Sequence, residues 1–181
     1  MIGKLLRRFP VAGEHRSPLA GPDFAAPSTI GVTSTAFDDG SAMPRACAGN
    51  GVGDDTSPQL SWTGVPTDAR QLVLIMDDID VPFPRPLLHT VAVIAVGVHD
   101  VDAGKLQPAT AGFRFIPGTL GHCGYAGPRP IPGHGPHRYR FQVFALDVAI
   151  GDDVTKTKAL LKEMAGQVLA RGVLTGTYER K

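Results

Sequence analysis

Leu72-Val73-Leu74-Ile75-Met76-Asp77-Asp78-Ile79-Asp80-Val81-Pro82 starts as an apolar run and ends in three carboxylates and a proline. Residues 70 to 76 are continuously apolar after Arg70 and Gln71, as in a strand buried on both faces. Residues 88 to 96 form a second such run, with His89 near its start and β-branched residues that favour strand over helix. A further stretch, residues 125 to 147, has Gly135-Pro136-His137-Arg138-Tyr139 at its centre. From there Tyr139, Phe141, Val143 and Ala145 alternate with Arg138, Arg140 and Gln142, the clearest strand pattern in the chain. The two stretches read as halves of one pocket, each joining an apolar strand to a turn rich in Pro, Gly, Asp or His. Titratable groups at strand ends can be aimed into a cleft by a rigid sheet.

Working outward, residues 29 to 37 suggest a modest strand ended by Asp38-Asp39-Gly40. Residues 40 to 57 form a long loop of a kind usually functional or mobile. Residues 58 to 65 give a short strand around Trp62, and residues 103 to 124 a connecting loop. One helix is expected, with Leu160, Met164 and Val168 on one face and Leu161, Ala165 and Leu169 beside them. Asp152, Asp153 or Thr155 would cap it and Gly172 end it, followed by a strand over 173 to 180. Residues 1 to 27 read as an arm, with one amphipathic turn at Leu5, Leu6 and Phe9 that docks on the body or on a partner subunit. The remaining residues, 28 to 181, form one domain. The expected architecture is mainly antiparallel β with a helix packed late.

With 181 residues, the chain suits one domain with a real core. The formal net charge of +1 gives no call for nucleic acid or an anionic membrane as partner. Gly 22 and Pro 16 imply many turns and short strands. Two cysteines, Cys47 and Cys123, make no disulfide scaffold and have no zinc spacing. The basic N-terminus lacks the apolar core of a signal peptide, and no run reaches transmembrane length. The expectation is a soluble, cytoplasmic protein without cofactor.

Asp78 and Asp80 would share a face if the extended chain persists, with Asp77 opposite. Paired carboxylates could do acid work or receive a cation; equally, these aspartates could hydrogen-bond the backbone of a turn. His89, in phase with Val91 and Val93, suits a core histidine or a ligand group. His137 and Tyr139 share a face. Arg138, on the other, is expected as a buried, bidentate partner of a carboxylate. Pro130 and its neighbouring prolines and glycines stiffen the preceding loop. His134 and His137 form a weak HxxH pair for a metal. No GxSxG or phosphate-loop pattern occurs.

Together the two motifs resemble the phosphatidylethanolamine-binding protein family, which includes the Raf kinase inhibitor proteins. Asp78-Ile79-Asp80-Val81-Pro82 with His89 is similar to its first signature, D-P-D-x-P and a histidine in the next strand. Tyr125, Gly127, Pro130 and Gly135-Pro136-His137-Arg138-Tyr139 are similar to its second. Ser57-Pro58-Gln59-Leu60-Ser61-Trp62 and the C-terminal part look like its small bacterial branch. The resemblance implies a large central antiparallel sheet beside a smaller one, with a few peripheral helices. It implies a pocket for a small anion or phospholipid head group, built from Asp78, Asp80, Pro82, His89, Pro130, His137 and Tyr139. Arg138, Trp62 and Tyr125 would support it. It further implies a non-enzymatic protein that modulates a kinase or protease, with a homodimer as one assembly. The alternative is an Asp/His acid–base enzyme acting on a small phosphorylated or acyl substrate. Ile79 stands where the motif has proline. Thr90 replaces an aromatic, which would remove part of a pocket wall, and Ile94 replaces an asparagine.

Overall fold

The computed structural model describes residues 2–6 and 10–181. Its centre is β3 (Gln71–Asp78), in which every residue after Gln71 is buried. That strand lies between β4 (Leu87–Ile94) and β7 (His137–Leu146), antiparallel to both. The outer strands β6 (Phe113–Phe115) and β8 (Val168–Tyr178) complete a five-stranded sheet of order β6-β4-β3-β7-β8. A smaller sheet of β1 (Gly31–Thr33), β2 (Leu60–Thr63) and β5 (Asp100–Val101) has β2 in the middle. The expected mainly β architecture of a large and a small antiparallel sheet is what the chain adopts.

Strand alternation splits the core in two. Leu72, Leu74 and Met76 face Trp62, Tyr139 and Phe141 on one side. Val73 and Ile75 face Val91 and Phe144 on the other, where Leu160 and Met164 cover them from α2 (Thr157–Met164). Leu19 and Phe24 of the N-terminal arm join this second core, each worth about 1.5–3 kcal/mol by burial. The arm also adds backbone bonds to the end of the first motif, from Ala12 N–H to Val81 (3.0 Å) and from Gly13 N–H to Ile79 (2.7 Å). At its start, α1 (Ile2–Leu6) places Gly3 against the Pro132–His134 backbone, where a Cβ would lie 2.0 Å from the Pro132 carbonyl. The arm therefore docks on the body. Of the expected apolar turn, Leu5 is exposed and Phe9 lies outside the described residues.

Several boundaries differ from the sequence reading. The helix stops at Met164, and a turn with Gly166 at φ +74° leads directly into β8. Val168 and Leu169 are therefore strand residues, and no side chain caps the helix start. Gly172 lies inside β8, where an added Cβ would come within 2.1 Å of the Ile30 carbonyl. β6 falls within the expected connecting loop. It is held there because Arg114 donates to the carbonyls of Val154 (2.7 Å) and Gly151 (3.0 Å). The first expected strand shrinks to three residues.

Candidate functional site

One cavity, about 480 Å³, opens where the end of β3 meets the starts of β4 and β7. Asp78 and Tyr139 pair across β3 and β7, so both side chains leave the sheet on the same face. His89 reaches that face by a slip of register. Met76 pairs with Thr90 but Asp77 with Leu88, leaving His89 as the extra residue, as in a β-bulge. Simple alternation with Val91 and Val93 would have put it in the opposite core. Instead its ring meets Tyr139 edge-on at 5.4 Å.

The polar groups form a defined network. His137 Nδ1 donates to Asp78 Oδ2 at 2.8 Å, both side chains being almost fully buried. His137 Nε2 lies 2.7 Å from His134 Nδ1. His89 Nδ1 is 2.9 Å from the Ala126 carbonyl, which can only accept. The proton is therefore on Nδ1, and Nε2, buried and without a protein partner, carries a lone pair. Burial holds the His89 pKa below its ordinary value, so the ring is neutral near pH 7. The Tyr139 hydroxyl is buried and makes no protein hydrogen bond of normal geometry. Burial first, and then the Asp78 charge, push its pKa up and keep it a donor.

Pro82 and Pro130 also line the cavity, so Asp78, Pro82, His89, Pro130, His137 and Tyr139 come together. Asp80 does not. The strand ends at Asp78, and the Asp80 N–H turns back to Asp78 Oδ1 at 2.9 Å, the turn chemistry open in the sequence. Asp80 faces Arg138 instead, taking its backbone N–H and Nε at 2.8 Å and Nη2 at 2.7 Å. Arg138 is thus the expected bidentate brace, but its side chain is 53% exposed rather than buried.

The buried arginine is Arg140, on the opposite face, which grips Asp77 through Nε (2.9 Å) and Nη2 (2.6 Å). Ser17 of the arm donates to the same carboxylate at 3.2 Å. Burial outweighs these bonds and leaves the Asp77 pKa above its ordinary value. The alternation in β7 had marked Arg140 as no different from Arg138. The signal separating them, a second carboxylate at Asp77, was in the sequence but unassigned.

Burial alone would raise the Asp80 pKa, but the Arg138 side-chain and backbone donors outweigh it and bring it below 3.8. A carboxylate depressed in the folded state stabilises fully above the unfolded value of 3.8 and loses that contribution as pH falls through the lower folded value. Acid unfolding of Arg138→Gln should accordingly show a flatter loss of stability below about pH 4 than the native chain. Parallel curves would remove Asp80 as the linked group.

Sequence reasoning missed Arg129, Asn50 and Asp55 in the wall, and Phe83 and Leu120, which stand exposed at the mouth. Asn50 and Asp55 come from the long loop flagged as functional or mobile. Tyr125 holds this loop by donating to the Cys47 carbonyl at 2.8 Å, while Trp62 is buried with its indole N–H on Val98. Ile79, Thr90 and Ile94 are buried and none lines the cavity. Cys47, buried with its thiol pushed up to about 11, and exposed Cys123 are both free. Among the described residues no three His, Cys, Asp or Glu side chains are placed to hold a metal, and no helix is long and apolar enough to cross a membrane.

Residues 33–179 match the family profile described as phosphatidylethanolamine-binding protein. A UPF0098 protein of Chlamydia trachomatis is 36% identical over 156 residues, covering 82% of this chain and 98% of its own. LppC of Mycobacterium tuberculosis, which carries a lipoprotein's name, is 33% identical over 82% of this chain and 71% of its own. A crystal structure of a phosphatidylethanolamine-binding protein homolog from Chlamydia trachomatis superposes with TM-score 0.75 at 32% identity, covering 85% of this chain and 99% of that one. YbcL of E. coli, described as a member of the mammalian PEBP family, gives TM-score 0.77 at 24% identity, over 85% and 100%. Profile, relatives and fold agree with the two motifs that build the cavity: the chain belongs to the phosphatidylethanolamine-binding protein family.

Proposed function

We propose that the cavity binds a small anion, such as phosphate or a phospholipid head group, without turning it over. The observation that carries this reading is a pair of buried polar atoms on residues lining one cavity, His89 Nε2 without a protein partner and Tyr139 Oη without a protein hydrogen bond of normal geometry. The Tyr139 hydroxyl donates to an anionic oxygen, and His89 Nε2 accepts from a ligand hydroxyl. A singly protonated phosphate offers both. Arg129 at the wall adds a cation, and Asp78 can receive the ammonium of an ethanolamine group. His137 orients Asp78, Pro82 and Pro130 shape the wall, and Asp80 acts through Arg138.

Acid–base turnover through His137 is disfavoured because both its ring nitrogens are engaged, by Asp78 and His134; a turnover reading would have to use His89 Nε2 as base. A kinase or protease partner and a homodimer rest on family membership. A cytoplasmic location rests on the two unpaired cysteines, and fractionation tests it against the lipoprotein name of the mycobacterial relative.

The experiment is a thermal-shift titration with phosphate, phosphoethanolamine and acetate, on the native chain and on His137→Ala. Saturable stabilisation of about 2.7 kcal/mol at a hundredfold excess over Kd is expected for a true ligand, and its loss in a variant still folded by circular dichroism. No response to any of the three would overturn the reading.

A further inference from the structure

Behind the sheet from this cavity, a cleft of about 500 Å³ lies between the arm and the β7–β8 face, with Glu14, Leu19, Arg140, Gln142 and Arg171 in its walls. Arg140 is 5% exposed and spends Nε and Nη2 on Asp77, while its Nη1 meets Glu14 Oε1 at 2.6 Å. Glu14 is a different kind of partner. Its side chain is 67% exposed and rises from a three-residue turn, Glu14–Arg16. Arg171 lies over the Phe144 ring at 5.4 Å and donates Nη2 to Gln142 Oε1 at 3.0 Å. Among the described residues no carboxylate pairs with Arg171. Its bond fixes the orientation of the Gln142 amide and leaves Nε2, on a wholly buried residue, without a partner.

The donors exceed the fixed acceptors. Asp77 balances Arg140, so Arg171 is balanced only by Glu14, and release of Glu14 leaves one net positive charge. Two guanidinium groups and an amide N–H suit a planar pair of oxygens carrying one negative charge. We propose that this cleft is a second ligand site, specific for a small monocarboxylate, and that Glu14 fills it as a displaceable internal ligand. The site is on the face opposite Tyr139 and does not depend on the anion reading of the first cavity.

The test uses the full chain carrying Tyr139→Phe, which removes the donor of the first cavity. Acetate is titrated by thermal shift and calorimetry, with and without Glu14→Ala, beside inorganic phosphate and a short glutamate-rich peptide. An internal ligand that holds the site closed nine-tenths of the time weakens apparent affinity about tenfold, so Glu14→Ala should tighten acetate about tenfold. Arg171→Met, a half-buried position, should abolish the response; Gln142→Leu gives a second check if that variant is poorly folded. Binding of the peptide as tightly as acetate would overturn the specificity for a small monocarboxylate. The proposal is overturned if acetate binds no tighter after Glu14→Ala, if its effect survives both Arg171→Met and Gln142→Leu, or if phosphate is preferred.

Discussion

Replacing Arg140 with methionine should destabilise the protein by about 3–5 kcal/mol, the usual effect of removing one partner of a buried ion pair. The loss is large because Asp77 is wholly buried and receives three donors, two from Arg140 and one from Ser17. Methionine fills similar volume but offers no proton, leaving a carboxylate in an apolar sheet. Part of the cost is relieved by protonation, since burial already holds the Asp77 pKa high. The variant should therefore recover stability on acidification relative to the native chain. Urea unfolding at two pH values measures both effects. The double variant Arg140→Met/Asp77→Leu should regain most of the loss, because the pair is then replaced by packing rather than broken. A single-variant cost under about 1 kcal/mol would mean that the pair is solvated in solution.

Tyr139→Phe should separate binding from stability. The hydroxyl makes no protein hydrogen bond of normal geometry, with only Asp78 and the Arg129 backbone near it, so the unfolding midpoint should stay or rise when it is removed. Ligand affinity should fall, because a hydrogen bond to a charged group is worth about 1.5–3 kcal/mol, roughly 10- to 150-fold in Kd. Calorimetry with phosphate or phosphoethanolamine reads the effect directly. Unchanged affinity with an intact fold would show that the Tyr139 hydroxyl does not touch the ligand. A large loss of stability would show that it has a structural partner instead.

The parts of this fold legible in sequence were those written in hydrophobic pattern. β3 and β7 bury nearly every residue, and no helix or loop accounts for such runs. β5 and β6 were invisible because two or three residues carry no period; Asp100 and Phe113 are strand residues only because distant partners pair with them. The helix was read too long for the opposite reason. Val168 and Leu169 continue its apolar sequence, while the break lies in the left-handed Gly166. At the site, residue types were readable and directions were not. One slip of register moved His89 from the core face to the cavity, and one Asx-type turn moved Asp80 out of it. The arm looked structureless because Leu19 and Phe24 stand among Pro and Gly, without the spacing that marks a buried face.

That arm has a consequence for how the chain can be trimmed. The part shared with the family begins at residue 33, yet Leu19 and Phe24 lie upstream and seal one side of the sheet. A fragment cut to the shared region would keep α2 over this core but lose Leu19 and Phe24 from it, opening to solvent the apolar surface those two side chains cover, a patch of the sort that drives self-association. Together with α2, residues upstream of the shared region are part of the cover that keeps this sheet from sticking to its neighbours.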